Sequence, residues 1–209
     1  MAGATDRLSR VFAVRHGETE WSLSGQHTGT TDIPLTDRGR DLARRLRPIL
    51  SAHPFALVLT SPLARARETC ALCGLGEVAT IAPDLTEWNY GSYEGMTTAQ
   101  IRAAEPGWLI FRDGCPDGES PSQVGARVDR VIALARAARG DVILFAHGHL
   151  LRVLAVRWLG MPAGAGQHLL LDTGTLGVLS DYRGVPAIRM WNAPVVEGFL
   201  PGSSTGDLR

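Results

Sequence analysis

The sequence predicts an α/β fold: an open, mostly parallel central sheet with helices on both faces and a β-hairpin near its C-terminal end. Three observations carry this. Short, almost wholly apolar runs at 11–14, 56–60 and 142–146 read as strands buried on both faces. Each leads through a polar turn toward a segment with helical period or capping residues. Near the end, 174–180 and 186–191 alternate about Tyr182-Arg183-Gly184, the pattern of a hairpin. A chain of 209 residues supports one sizeable core. A single domain over 10–192 is therefore expected, with 1–9 a flexible leader and 193–209 a flexible Gly/Ser-rich tail.

The first strand ends in Arg15-His16-Gly17-Glu18-Thr19 and is followed by a polar loop carrying Gln26-His27-Thr28-Gly29. Thr36 is placed to cap a helix with Leu42, Leu46, Ile49 and Leu50 on one face, which Pro48 should end or bend. The strand at 56–60 meets Ser61-Pro62, a cap followed by proline at the first helical position. Arg65 then falls in an opening turn whose free N–H groups already favour anions. Cys70-x-x-Cys73 lies in the same helix without a second pair or a redox context, so both read as small buried hydrophobes. A short strand at 78–81 precedes Glu87-Trp88-Asn89-Tyr90. The turn-rich stretch 91–120, with one helix near 97–104, reads as an insertion covering a site. Val124, Val128, Val131, Ile132 and 134–138 form an apolar helical stripe before the strand at 142–146, and a helix over 149–159 follows His147-Gly148-His149.

Composition narrows the function. Lys+Arg and Asp+Glu both number 21, and no basic stripe interleaves with aromatics, which argues against a nucleic-acid or membrane partner. Three cysteines make no disulfide framework, and no run approaches the ~20 apolar residues of a membrane span. A reducing cytoplasm is the default expectation. Any anion preference must come from local arrangement.

That arrangement is visible at the strand ends. Ligands of open α/β sheets bind outside the carboxyl ends of the strands, and three strands bring His16, Arg65 and His147 to one rim. Arginine forks suit phosphate oxygens, and nearby guanidinium charge keeps an imidazole neutral and nucleophilic. The residues alone are nearly symmetric between His16 and His147. A divalent metal on His147-x-His149, His16 and Glu87 is the rival chemistry, but Arg15 and Arg65 would repel the ion, so neither metal nor cofactor is expected.

Arg15-His16-Gly17-Glu18-Thr19, Ser61-Pro62-x-x-Arg65-Ala66-x-x-Thr69, Glu87 and His147-Gly148-His149 together resemble the histidine phosphatase superfamily, which includes the phosphoglycerate mutases. The resemblance spans about 10–192 and implies a three-layer sandwich. It implies His16 as the nucleophile of a phosphohistidine intermediate, His147 as oxygen stabiliser, Arg15 and Arg65 as phosphoryl grips, and Glu87 as acid and then base. Glu18 is expected to be structural and His149 a supporting residue at the helix start. Thr28 resembles a hydroxyl that contacts the phosphate, Gly29 would let backbone approach, and Gly148 would offer its N–H. Substrate contacts are also expected from Ser22, Gln26, His27, Trp88 and Tyr90.

The chain departs from the mutases at Trp88, where they carry arginine, at Ser22, where they carry asparagine, and in lacking an arginine pair between 88 and 120. A pocket without further cations is the expectation. The motifs look instead like the phosphatase side, shared by a small broad-specificity acid phosphatase and sedoheptulose-1,7-bisphosphatase. Residues 160–172 are too few for the insertion of the bisphosphatase. The expectation is a metal-independent phosphomonoesterase taking small phosphorylated metabolites such as sugar phosphates. A sugar bisphosphatase comes second, ahead of a mutase or a silent binding module. The expected partner is the small phosphate ester, with a homodimer left open.

Overall fold

Alternate residues of each central strand face opposite ways, and here both directions are buried. In β1 (Val11–Arg15), Val11 and Ala13 join one core cluster while Phe12 and Val14 join another. The same split recurs in β4 (Val142–Ala146), whose five residues are all buried. A strand buried on both faces needs helices on both sides. The computed structural model, which describes residues 10–194, supplies them.

Between β1 and β4 the chain forms α1 (Glu20–Ser24), α2 (Asp37–Leu50), β2 (Leu57–Thr60), α3 (Ala64–Leu72) and the short β3 (Thr80–Ile81). It continues through α4 (Thr98–Ala104), α5 (Ile110–Asp113) and α6 (Pro121–Ala137). After β4 come α7 (Gly148–Trp158) and the hairpin β5 (Leu176–Tyr182) and β6 (Val185–Ala193). The six strands lie in the order β3-β2-β4-β1-β5-β6. The first four are parallel and the hairpin is antiparallel. Leu46, Leu50, Cys70 and Cys73 pack under one face of the sheet. Val124, Val128, Leu150 and Leu154 pack over the other, giving the three expected layers.

Several elements differ from expectation for physical reasons. Thr36 caps α2 as expected, by accepting from Gly39 N–H, and the helix ends at Leu50, two residues past Pro48. The α3 helix begins at Ala64 rather than Pro62. Ser61 turns its hydroxyl to His147, and the Asp32 carboxylate accepts the Ala64 N–H in its place. The strand at 78–81 shortens to two residues because 76–78 is a 3₁₀ turn. Leu134 is 53% exposed, since the buried positions of α6 run 124, 128, 131, 132, 135 and leave it off the stripe. Cys70 and Cys73 are buried free thiols, with Cys70 pushed up to about 12 by burial.

Tyr93, Ile101, Trp108, Ile110 and Phe111 join the larger core cluster, so the 91–120 stretch packs against α6 and α7. Ala193 pairs with Leu176, so β6 extends one residue into the expected tail. Residues 1–9 and 195–209 lie outside the described residues. Among the described residues no helix is long and apolar enough to cross a membrane.

Candidate active site

β1 delivers His16 as the first residue beyond its end, held by a hydrogen bond from its N–H to Ala146 O (3.0 Å). The ring is 5% exposed, and Nδ1 lies 2.7 Å from Gly17 O. A carbonyl only accepts, so Nδ1 carries the proton and Nε2 keeps its lone pair. Burial is the first cause holding the His16 pKa well below its ordinary value, and the charges of Arg15 and Arg65 follow. The guanidinium charge invoked from sequence is thus the lesser cause. Gly17 is required by contact, since a Cβ there would fall 2.3 Å from Gly39 O. The loop is thereby pressed onto the first turn of α2.

Arg65 is fully buried, and its fork is largely spent on the protein. Nη1 donates to Thr31 O (2.9 Å), and Nη2 donates to Thr28 O and Gly29 O (both 3.0 Å). Arg65 thus grips the 28–31 loop. Its Nε donates to His147 Nδ1 at 3.2 Å, so the neutral His147 carries its proton on Nε2 and donates to Ser61 Oγ at 2.7 Å. Burial and then Arg65 hold His147 well below an ordinary imidazole pKa. The His16 and His147 rings are 5.1 Å apart, yet His147 lies beneath the pocket wall and outside its lining.

Arg15 is different. Its Nη1 donates to Leu171 O, while its Nε is sealed from solvent and has no hydrogen-bond partner. Gly148 makes room for that guanidinium, since a Cβ there would lie 3.2 Å from both Cζ and Nε of Arg15. Gly148 opens α7, and the next two N–H groups of that helix donate to Glu87. His149 N reaches Oε2 (3.1 Å) and Leu150 N reaches Oε1 (2.9 Å), with Trp88 N also on Oε1 (2.9 Å). A carboxylate from a distant segment thus satisfies a helix N-terminus and lies along its dipole. Arg127, unremarkable in sequence, secures that segment by donating to the carbonyls of Asp84, Thr86 and Glu87.

Arg15, His16, Glu87 and Gly148 open onto a pocket of about 180 Å³, with Ser22, Gln26, His27, Thr28 and Tyr90 in its walls. Some of these polar groups already serve the protein. Ser22 Oγ closes the capping box of α1 with Thr19, and Gln26 Nε2 donates to Gly95 O. Two expected contacts fall outside the pocket. The Trp88 indole is fully buried, donates to Glu119 O and stacks edge-on to Phe111. Gly29 gives its N–H to the Glu94 carboxylate, and a Cβ there would strike Glu94 and Trp88 O below 3 Å. Its small size serves packing.

Sequence reading missed six wall residues, Thr19, Trp21, Gly25, His149, Arg152 and Leu171. Arg152 corrects the expectation of a pocket without further cations. It follows Gly148 by four residues, one helical turn, which places both on one face of α7. That spacing was the available signal. Its guanidinium lies 4.4 Å from the Phe111 ring centre and donates to Gly166 O. His149 is also more than a helix-start residue. Its Nδ1 meets Tyr90 Oη at 2.6 Å, and His27 lies 4.8 Å from the Tyr90 ring. Burial holds His149 well below its usual pKa and takes His27 to about 4. Glu18, by contrast, accepts from the Thr36 hydroxyl away from the pocket.

A larger groove of about 960 Å³ runs beside α3 and β3. It is lined by Arg47, Arg67, Glu68 and Glu77 with no histidine, so the chemistry belongs to the smaller pocket.

Comparison with known proteins identifies the family of this fold. The family model of the histidine phosphatase superfamily (branch 1) matches residues 11–194. An acid phosphatase of Mycobacterium tuberculosis is 41% identical over 183 residues, covering 86% of this chain and 90% of that protein. The sedoheptulose 1,7-bisphosphatase of Saccharomyces cerevisiae is 38% identical over 184 residues, 73% of this chain and 68% of that one. The solved structure of a Mycobacterium tuberculosis open reading frame superposes with a TM-score of 0.85 at 38% identity, covering 91% of this chain and all of that chain. A mycobacterial glucosyl-3-phosphoglycerate phosphatase in complex with VO3 gives 0.78 at 29% identity, covering 88% and 99%. The family match runs across the whole described fold, and the chain belongs to the histidine phosphatase superfamily, branch 1.

Proposed function

We propose that this chain is a phosphomonoester hydrolase that works through a phosphohistidine on small phosphorylated metabolites, sugar phosphates foremost. One observation carries the reading. Arg15, whose Nε has no partner, and His16, whose Nε2 keeps a free lone pair, line one pocket of phosphoryl scale. An unsatisfied buried N–H is costly, and an anionic oxygen relieves it.

In this reading His16 Nε2 attacks phosphorus and forms a P–N bond as the ester P–O bond breaks. The departing alkoxide takes a proton from the Glu87 carboxyl. Water then attacks the phosphohistidine, gives its proton to Glu87 and releases inorganic phosphate with His16 restored. Arg15 and the Gly148 N–H hold the phosphoryl oxygens. His147, neutral and tied to Arg65 and Ser61, keeps an uncharged imidazole beside the reacting one. Fixed cations supply the charge, so no metal is called for. A reducing compartment, the cytoplasm, suits three unpaired cysteines. Arg152 favours a second reading, a sugar bisphosphatase, because it places another guanidinium in the wall.

Rapid quench with phosphorus-labelled substrate, in the presence of a chelator, should trap an acid-labile, alkali-stable phosphoenzyme that His16→Ala lacks. Label retained by His16→Ala but lost in His147→Ala would reverse the two histidines. Turnover that disappears on chelation would end the metal-free scheme.

A further inference from the structure

The end of β6 has no part in the scheme above, yet it holds the segment that holds Arg15. Across the hairpin, Leu176 pairs with Ala193 and Val178 with Met190, so Gly177 alone faces both Trp191 and Asn192. This is a β-bulge, which bends a strand and re-aims a side chain. Asn192 sits at φ +52, a left-handed conformation that asparagine tolerates better than most residues. The Trp191 ring covers Gly177, where a Cβ would come within 2.9 Å of it.

The two bulge residues clip Leu170 and Asp172, the residues on either side of Leu171 in the neighbouring loop. Trp191 Nε1 donates to Leu170 O at 2.7 Å. Asn192 Oδ1 accepts from Asp172 N at 2.7 Å, and its Nδ2 donates to Asp172 Oδ2 at 3.0 Å. Between these anchors, Leu171 O receives Arg15 Nη1, and Leu171 itself lines the pocket. The far side of the loop is tied as well, by Gly174 N–H to His16 O and by Thr175 Oγ1 to Asp172 O. The Leu171 carbonyl is thus fixed from both sides, and its bond to Nη1 anchors the end of the Arg15 side chain.

We propose that Asn192, presented by the bulge it shares with Trp191, is a positioning residue for phosphoryl binding, acting through the Leu171 carbonyl on Arg15. The proposal rests on the reading of Arg15 as the phosphoryl grip. Asn192 touches no substrate. It determines whether the guanidinium fork meets the oxygens in register.

The test replaces Asn192 with glycine, which keeps the positive φ and deletes the amide. In the full chain, hydrolysis of an aryl phosphate is measured with inorganic phosphate as competitive inhibitor, alongside Tm. Asn192→Gly should lose about tenfold in kcat/KM, short of the ~10²-fold that a 1 Å misplacement can cost. The phosphate inhibition constant should rise in step, and the deficit should persist at temperatures well below Tm. Unchanged kcat/KM and phosphate inhibition would overturn the proposal. So would a loss that disappears on cooling, which marks a merely structural clip. If Asn192→Gly does not fold, Trp191→Phe decides by the same criteria, since it keeps a ring over Gly177 and removes only the bond to Leu170 O. A wild-type chain that neither turns over aryl phosphates nor binds phosphate would instead refute the phosphatase reading itself.

Discussion

Gly148→Ala separates stability from activity at a single methyl group. Gly148 lies in the first turn of α7 with ordinary helical backbone, so alanine strains nothing there. Relative to glycine it lowers the entropy cost of ordering the chain, by at most about 1 kcal/mol. The new Cβ would sit 3.2 Å from Cζ and Nε of Arg15, a few tenths of an ångström too close. Arg15 cannot simply back away, because Leu171 O holds its Nη1. The guanidinium must tilt, and its unpartnered Nε is the group that loses alignment. A hydrogen bond to a charged group contributes about 1.5–3 kcal/mol. Losing one in the transition state lowers kcat/KM by roughly 10- to 100-fold. The expected outcome is a Tm equal to or above wild type with that loss of activity, read by steady-state hydrolysis of an aryl phosphate and by thermal melts. Wild-type kcat/KM together with wild-type inhibition by phosphate would refute the argument that Arg15 Nε is the phosphoryl contact.

Stability should fall as pH drops from 7 toward 4. Buried His16, His27, His147 and His149 have folded pKa values depressed below 6.5, so below that pH the unfolded chain binds more protons than the folded one. For His27 the gap between 6.5 and about 4 corresponds to about 3 kcal/mol lost by pH 4. Melts across a pH series check this, and a Tm that is flat or rising from pH 7 to 4.5 would contradict it. Trp88→Phe should destabilise by about 1–3 kcal/mol, because a fully buried indole is truncated and Glu119 O keeps only its bond from Cys115 N. Its kcat/KM should stay within roughly threefold of wild type, since the ring is outside the pocket. A large kinetic loss at unchanged stability would put the ring against the substrate after all.

What could be read from the chain divides along a physical line. The double-sided burial of Val11–Arg15 and Val142–Ala146 is written in consecutive residues, so the sheet, its layers and the rim with His16, Arg65 and His147 were legible. Thr36 and the hairpin turn are local signals too. Long-range pairings are not local. Asp32 taking the N–H of Ala64 moved a helix start, and Glu119 taking the Trp88 indole moved a side chain out of the pocket. Nothing adjacent to Asp32 or Trp88 encodes those partners. Arg152 was legible in principle, one helical turn from Gly148, but only once that face of α7 was known to look into the pocket.

The two arginines of the rim show why motif and geometry must be read together. In sequence Arg15 and Arg65 are equivalent candidates for gripping an anion. In the fold Arg65 is surrounded by the carbonyls of Thr28, Gly29 and Thr31, dipoles that accept its hydrogen bonds without cancelling its charge. That leaves a buried positive charge beside two imidazoles. Burial first, and this charge with that of Arg15 second, keep both His16 and His147 neutral, while the bond of Nδ1 to Gly17 O leaves His16 Nε2 free to act as a nucleophile. Arg15 contributes the complementary half, charge with an N–H still unspent. Burying guanidinium charge without a carboxylate in contact is costly. A phosphate dianion entering this pocket relieves that cost at Arg15 directly and at Arg65 through space. On the proposed reading, affinity for the phosphoryl group is set by what the protein leaves unpaired more than by the number of contacts it makes.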